Sequence, residues 1–383
     1  MKTANDTTEL AIRALEHLKN STTDQAPGTQ ELSVGAYLDE KRFEKEFDAI
    51  FLNNPQGLLL SVELPEPSDY VARTILGKPL LIVRGKDGVA RVFLNVCRHR
   101  GAKICPEGSG KAPRFVCPYH SWTYDREGKL VGMYGKETFG DANFAELGLT
   151  ELPSQEAAGV IWAVLTVGAK FDINDWLGTM LGELELLELG HCHVFAQRSL
   201  KSPGWKVTMD GYLEAYHHDT VHANTLSKHT IGNLLVHDLH GHHQILTMAR
   251  RNLPELEQLP ESEWNASNYL RRIYCVFPNF QVSGIVGGYF LISQILPGHT
   301  ATEGITVQTI LTSKRPETDE EIEQAKSFQD MAYHAVEEED YPIGFGIQSG
   351  LASGANEHFL IGRNEPGLQH YHRQVAELAK VNR

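Results

Sequence analysis

The chain of 383 residues is long enough for a large core and two or three domains, and a hydrophobic content of 41% marks it as globular. Its net charge of -14, from 35 basic and 49 acidic side chains, opposes non-specific association with nucleic acid or anionic membranes while permitting a basic redox partner. Five cysteines are too few and scattered for a disulfide framework; with no secretion-signal core and no run of roughly 18 apolar residues, the expectation is a reduced, cytoplasmic protein.

In chain order, Leu10, Ile12, Ala14, Leu15 and Leu18 predict a leading helix, and the polar stretch 20–29, with its Thr, Gly and Pro, reads as a mobile connection. The expected divisions are therefore 1–33 for helix and linker, 34–158 for a first domain and 159–383 for a second. In the first, Leu80-Leu81-Ile82-Val83 turns through Gly85-Lys86-Asp87-Gly88 into Arg91-Val92-Phe93, a hairpin. Short strands over 92–96 and 114–116 then deliver two loops, Cys97-Arg98-His99 and Cys117-Pro118-Tyr119-His120, each carrying one thiol and one imidazole. In a Rieske [2Fe-2S] centre two thiolates hold one iron and two histidines the other, so each loop supplies one ligand to each iron. Tetrahedral zinc uses the same side chains; the mixed C-x-H and C-x-x-H order, flanked by Arg98, Arg100-Gly101 and Ser121-Trp122, favours the cluster. Arg98 and Arg100 read equally as subunit or reductase contacts and as surface arginines. Cys105 reads as a buried thiol, Cys192 and Cys275 as packing residues.

From about residue 159 the pattern changes to a strand over 160–167, a helix over 175–188 and a helical segment over 205–222 dense with metal-binding side chains. His218 and His222 share one face of an ideal helix, so helical geometry alone selects that pair, and His217 joins His222 only if the helix unwinds or bulges there. Glu214 lies three residues before His217, on nearly the same face. A mononuclear Fe(II) oxygenase needs two histidines and one carboxylate on one side of the metal. Later strands fall over 234–250, 272–283, 289–296 and 304–311, and two long helices close the chain. His237, His240, His242 and His243 share no metal-binding spacing and are assigned packing or surface roles. Strands in runs with helices set apart predict an α+β domain around an antiparallel sheet. Near the C-terminus, Thr318-Asp319-Glu320-Glu321 forms a capping box, and Ile322, Ala325, Phe328, Ala332, Ala335 and Val336 trace a buried stripe. Asp340 falls one turn beyond Val336 on that face, and Pro342 should end the helix about there. Asp340 is the candidate carboxylate, with Glu339 the alternative if the stripe is shifted.

On these residues the chain resembles the oxygenase component, or alpha subunit, of Rieske non-heme iron oxygenases, the aromatic-ring-hydroxylating family. The resemblance rests on the two cluster motifs, on Glu214-Ala215-Tyr216-His217 with His222 five residues on, and on Glu339-Asp340 followed by Gln348-Ser349-Gly350-Leu351. It extends from about residue 34 to the C-terminus. It implies an antiparallel β Rieske domain followed by a helix-grip (START/Bet v1-like) catalytic domain. It also implies a [2Fe-2S] cluster on Cys97, His99, Cys117 and His120, and mononuclear Fe(II) on His217, His222 and Asp340. Glu214 would link the centres, hydrogen-bonding His217 and the cluster histidine His120 of a neighbouring subunit. Two departures bear on the substrate: Glu rather than the commoner Asp at 214, which occurs in members acting on quaternary amines, and Gly211 where Asn is frequent.

The resemblance further implies a terminal oxygenase that uses O2 and a small organic substrate in a homotrimer, or in an α3β3 assembly with a beta subunit. No Gly-rich dinucleotide-binding turn follows a strand, so a ferredoxin and/or flavin reductase must supply the electrons. The expected substrate is aromatic or alicyclic, with Met209, Leu213, Asn224, Phe280, Val282 and Phe290 as pocket candidates. The alternative is oxidative N- or O-demethylation, for example of a quaternary amine, which an aromatic cage would support. A non-enzyme alternative is a Rieske electron carrier with a ligand-binding domain.

Overall fold

The computed structural model describes residues 4–382, with side chains described except at 4–6, 285 and 286. They form two compact units, one of residues 51–176 and 187–191, the other of the described residues up to 50, 177–186 and from 192 onward.

The smaller unit is antiparallel β. A five-stranded sheet runs in the order Glu151–Leu152, Ala90–Leu94, Lys78–Arg84, Asp69–Ile75, Gly108–Lys111. A three-stranded sheet joins Ser154–Ala157, Val160–Ala163 and Gln56–Leu60, and a second joins Arg114–Val116, Thr123–Asp125 and Leu130–Gly132. The predicted hairpin is present, closed by Gly88 at φ +80, a conformation glycine adopts without penalty. Its core gathers Leu81, Val83, Phe93, Phe115, Trp122 and Tyr124 around Cys97, Cys105 and Cys117.

The larger unit is α+β, as expected. Seven antiparallel strands lie in the order His193–Pro203, Glu303–Thr312, Tyr289–Pro297, Phe280–Val286, Leu270–Val276, His243–Arg250, Thr230–His240. The first of these was not expected from the sequence; its mixed Arg, Lys and Gln content hides the alternation that marks a half-buried strand. The helices Trp205–Tyr212 and Asp319–His334 pack on this sheet. The C-terminal helix Pro366–Ala379 buries Leu368, Tyr371, Val375 and Ala376. The helix predicted over 175–188 is two short ones, Ile173–Leu177 and Thr179–Glu185, broken at Gly178.

The domain divisions differ from those expected. The leading helix Ala4–Asn20 buries Leu10, Ala11, Ala14 and Leu15 against Leu234, Val236 and Ala249 of the seven-stranded sheet. The stretch 20–29 is not a loose connection. Leu235 donates to Thr23 Oγ1 at 2.9 Å and accepts from the Asp24 amide at 2.9 Å, so backbone groups that a free linker would leave to water are paired inside the unit. Strand Gln30–Ser33 pairs with His358–Ile361, and Glu46 forms a buried ion pair with Lys206. Residues up to 50 therefore belong with the larger unit. At the other boundary, the Gln155 side chain bonds Phe171 O and the Ile173 amide, both at 2.9 Å, which holds 159–176 in the smaller unit.

Candidate metal centres and substrate cavity

The two cysteine loops of the smaller unit are built alike. Cys97 N donates to Ala102 O and Gly101 N to Cys97 O; Cys117 N donates to Trp122 O and Ser121 N to Cys117 O, all at 2.8–3.0 Å. In both, the fourth residue after the cysteine is left-handed, Gly101 at φ +76 and Ser121 at φ +58, so each chain reverses tightly and turns its thiol inward. Buried Asn95 fixes the first loop by accepting from the amides of Ile104 and Cys105 and donating to Cys105 O at 2.8 Å. The His99 and His120 rings lie 4.6 Å apart, with His99 stacked on Trp122 at 4.8 Å. Desolvation, with His99 and Arg100, holds His120 below the ordinary imidazole range.

Both cysteines are buried, and His99 Nδ1 is a buried nitrogen without a hydrogen-bond partner among the described residues, as a metal-ligating nitrogen would be. The four side chains therefore fit a two-thiolate, two-imidazole cluster. Cys105 is a buried thiol pushed up to about 11 by desolvation, which keeps it protonated. Arg98 bonds Thr150 Oγ1 and Arg100 bonds the Tyr119 hydroxyl, at 3.2 and 3.3 Å.

In the larger unit the helix carrying Trp205 ends at Tyr212, and a separate turn, His218–Val221, follows. This break takes His217 off the ideal helical register and brings it to His222. His217 Nε2 and His222 Nε2 are 3.3 Å apart; Asp340 Oδ1 lies 3.7 Å from the first and 3.0 Å from the second. Three ligands at right angles and about 2.1 Å from one ion stand about 3 Å from each other, so the triangle has the size of one face of a metal site. The other ring nitrogens are held by carboxylates: His217 Nδ1 donates to Glu214, and His222 Nδ1 donates to Glu339 Oε2 at 2.7 Å. Such bonds fix tautomer and ring orientation, leaving Nε2 as the lone-pair nitrogen. Glu214 also accepts from the amides of Tyr216 and His217. His218, the partner that helix geometry alone selects, is also close to both; burial lowers it to about 2 and its Nδ1 is unpartnered, making it a neutral wall.

Asp340 is presented by a wider turn, not by a helix end. The helix Asp319–His334 opens its capping box at Thr318, passes into a π-helical segment, Ala335–Asp340, and continues as Tyr341–Ala352 with Pro342 in the first turn. Proline is tolerated there because the first-turn amides have no helical acceptor, so the expected stop at Asp340 does not occur. The extra residue of a π turn aims adjacent residues at one ring: Asp340 at His222 Nε2 and Glu339 at His222 Nδ1. Glu339 was legible only as a substitute ligand; its orienting role, shared with Thr225 Oγ1 at 2.6 Å, depends on that turn.

Beside the triad is a cavity of ≈ 260 Å³ lined by Tyr212, Leu226, Arg250, Arg271, Ile273 and Phe328, among others. None of the six pocket candidates lines it. Met209, Leu213, Phe280, Val282 and Phe290 are core, and Asn224 is exposed. Strand alternation is the reason: Leu291 rather than Phe290 faces the cavity, and a one-residue error of register exchanges the faces. Gly284, at φ +67 in an irregular stretch of its strand, keeps the wall open, since a Cβ there would sit 2.7 Å from the Phe328 ring. The histidines at 237, 240, 242 and 243 are satisfied locally, by Gln244, Thr179, Gln374 and the Phe277 amide.

Residues 55–140 match the Rieske [2Fe-2S] domain family, and residues 189–380 match the family described as ring hydroxylating alpha subunit (catalytic domain). The glycine betaine monooxygenase oxygenase subunit of Pseudomonas aeruginosa is 31% identical over 191 residues, 50% of this chain and 44% of that protein. The carnitine monooxygenase oxygenase subunit of Escherichia coli is 32% identical over 189 residues, 49% and 50% of the two chains. The biphenyl dioxygenase alpha subunit of Metapseudomonas furukawaii is 32% identical over 219 residues, 53% and 46%. The matched stretch is thus about half the length of these relatives. In fold, the chain is similar to a quaternary ammonium Rieske monooxygenase (TM-score 0.81, 22% identity, 94% and 100% covered). It is also similar to a naphthalene 1,2-dioxygenase from Rhodococcus (TM-score 0.76, 18% identity, 97% and 98% covered). With a cluster-binding unit and a His217–His222–Asp340 triangle in a sheet-and-helix unit, the chain belongs to the ring-hydroxylating alpha subunit family and carries that family's Rieske [2Fe-2S] domain.

Proposed function

We propose that this chain is the terminal oxygenase of a multicomponent Rieske system, oxidising a small organic molecule with O2 and electrons from a separate ferredoxin and/or flavin reductase. The observation that carries the reading is the triangle of His217 Nε2, His222 Nε2 and Asp340 Oδ1 beside a ≈ 260 Å³ cavity. When bound, the cluster supplies single electrons and the mononuclear iron supplies dioxygen activation. The chain's own groups prepare that centre. Glu214 and Glu339 keep a proton on Nδ1 of His217 and His222, so each Nε2 is free to ligate. Ile273, Leu291 and Phe328 give the cavity apolar walls that exclude water, and Tyr212, raised to about 12 by burial, stays a neutral hydroxyl. The family resemblance supports Glu214 as the link to His120 of a neighbouring subunit in a homotrimer.

Ring hydroxylation of an aromatic or alicyclic compound is one outcome of this chemistry. Oxidative N-demethylation of a quaternary amine is the second, supported by Glu214 and by relatives named for glycine betaine and carnitine. Turnover with a reductase, NADH and a panel of aromatic and N-methylated compounds tests the reading. An oxygenated product, or formaldehyde with a demethylated amine, is expected; NADH consumption without either refutes it.

A further inference from the structure

One wall of the cavity carries a guanidinium that no carboxylate pairs with directly. Strand Leu270–Val276 alternates its side chains between two faces. Arg272 bonds Glu183 at 3.0 Å and stacks on Tyr274, whereas Arg271 and Ile273 line the cavity. Among the described residues the Arg271 guanidinium makes no hydrogen bond and no ion pair. Arg250 lines the same cavity, its Nε donating to Leu270 O at 3.1 Å. Burial, reinforced by the charge of Arg250 and partly opposed at a distance by that of Asp340, lowers Arg271 only to about 10, so it is a cation at neutral pH. The cavity's two carboxylates, Glu214 and Asp340, stand at the histidine end, engaged with His217 and His222. A charge half-withdrawn from water without a hydrogen-bonded partner is costly, and a guanidinium fork matches a carboxylate bidentately. Between the two ends the walls are mostly apolar, with Thr230 and Ser283 the neutral polar exceptions besides Tyr212, and besides histidines only Tyr212 and Phe328 contribute rings, too few for a cage around a cation.

We propose that Arg271 anchors an anion subsite, so that the molecule oxidised here is an organic carboxylate whose apolar or N-methylated portion reaches the His217–His222–Asp340 end. The inference rests on reading this cavity as the substrate site of an oxygenase, and it adds the chemical class of the substrate. Two sources share that chemistry, a carboxylated quaternary amine and an aromatic acid.

Calorimetric titration of the anaerobic, iron(II)-loaded full chain with glycine betaine, choline, benzoate and benzyl alcohol tests it. At least one acid should bind roughly 30-fold more tightly than its own alcohol, the scale set by truncating one partner of a buried charge pair. Betaine over benzoate identifies the quaternary amine source; benzoate over betaine identifies the aromatic one. Arg271→Met should reduce the preference to within about threefold, and Arg271→Lys, which keeps the charge without the fork, should retain part of it. If Arg271→Met fails to fold, the wild-type ratio and Arg271→Lys still decide. Absence of acid binding, equal affinity for acid and alcohol, or a preference that survives in Arg271→Met overturns the proposal. Acid binding by a protein that yields no product refutes the oxygenase reading and leaves the subsite standing.

Discussion

Glu339 accepts a 2.7 Å hydrogen bond from Nδ1 of His222, whose Nε2 lies 3.0 Å from the neighbouring residue, Asp340. Consecutive acidic residues thus approach one imidazole from opposite sides, Glu339 at Nδ1 and Asp340 at Nε2, and in the proposed centre Asp340 would share its metal. This requires the π turn that carries both. Glu339→Ala should weaken iron(II) binding at the triad about 10–100-fold, with Glu339→Gln in between, while visible absorption of the cluster stays unchanged. Iron titration followed by calorimetry checks this, and unaltered affinity would assign Glu339 to structure alone.

The cluster loops make a sharper distinction among cysteines. Cys97 and Cys117 sit at the matched reversals, whereas Cys105 is a protonated thiol packed in the core. Cys105→Ser should keep the visible spectrum and the acid-labile sulfide, and Cys117→Ser should lose both. Loss of sulfide in Cys105→Ser would show that the cluster uses a third thiol.

Lys206 and Glu46 are both buried and paired, with Arg42 bonding the second Glu46 oxygen at 2.7 Å. Burial pulls the Lys206 ammonium below its ordinary range. Glu46→Gln should strand that charge and destabilise the larger unit by about 3–5 kcal/mol, whereas Glu46→Met with Lys206→Met should recover most of the loss. Denaturant unfolding of the three proteins checks the order.

Burial pushes the Glu156 carboxyl up, but the two bonds from Arg84, one at 3.0 Å, outweigh it and hold the group below the usual carboxylate range. A depressed folded value stabilises above the unfolded value near 4.5 and is lost as pH falls through the folded one. Partial exposure limits the effect to on the order of 0.5–1 kcal/mol. Glu156→Gln should therefore melt earlier than wild type at pH 7, and the two should converge in acid. A gap that widens in acid would reverse the sign.

Legibility in the sequence followed locality. The proposed cluster ligands lie within single loops, where spacing and residue type alone single them out. Asp340, the proposed carboxylate ligand, is singled out because the stripe from Ile322 to Val336 carries its register forward. Helix periodicity alone pointed to His218, and only the family pattern selected His217, since the break after Tyr212 is a tertiary feature. Arg271 and the cavity walls were missed because facing in a sheet depends on register, which Phe290 and Leu291 exchange by one residue. The stretch 20–29 read as loose because its partners, around Leu235, are some 200 positions away.

The count of iron and acid-labile sulfide in anaerobically prepared protein tests the central claim most directly. The account requires the cluster's two irons and two sulfides plus one further iron per chain, with Asp340→Ala losing only that further iron. Wild-type protein that holds iron and sulfide in equal amounts, with nothing bound at His217, His222 and Asp340, would contradict it.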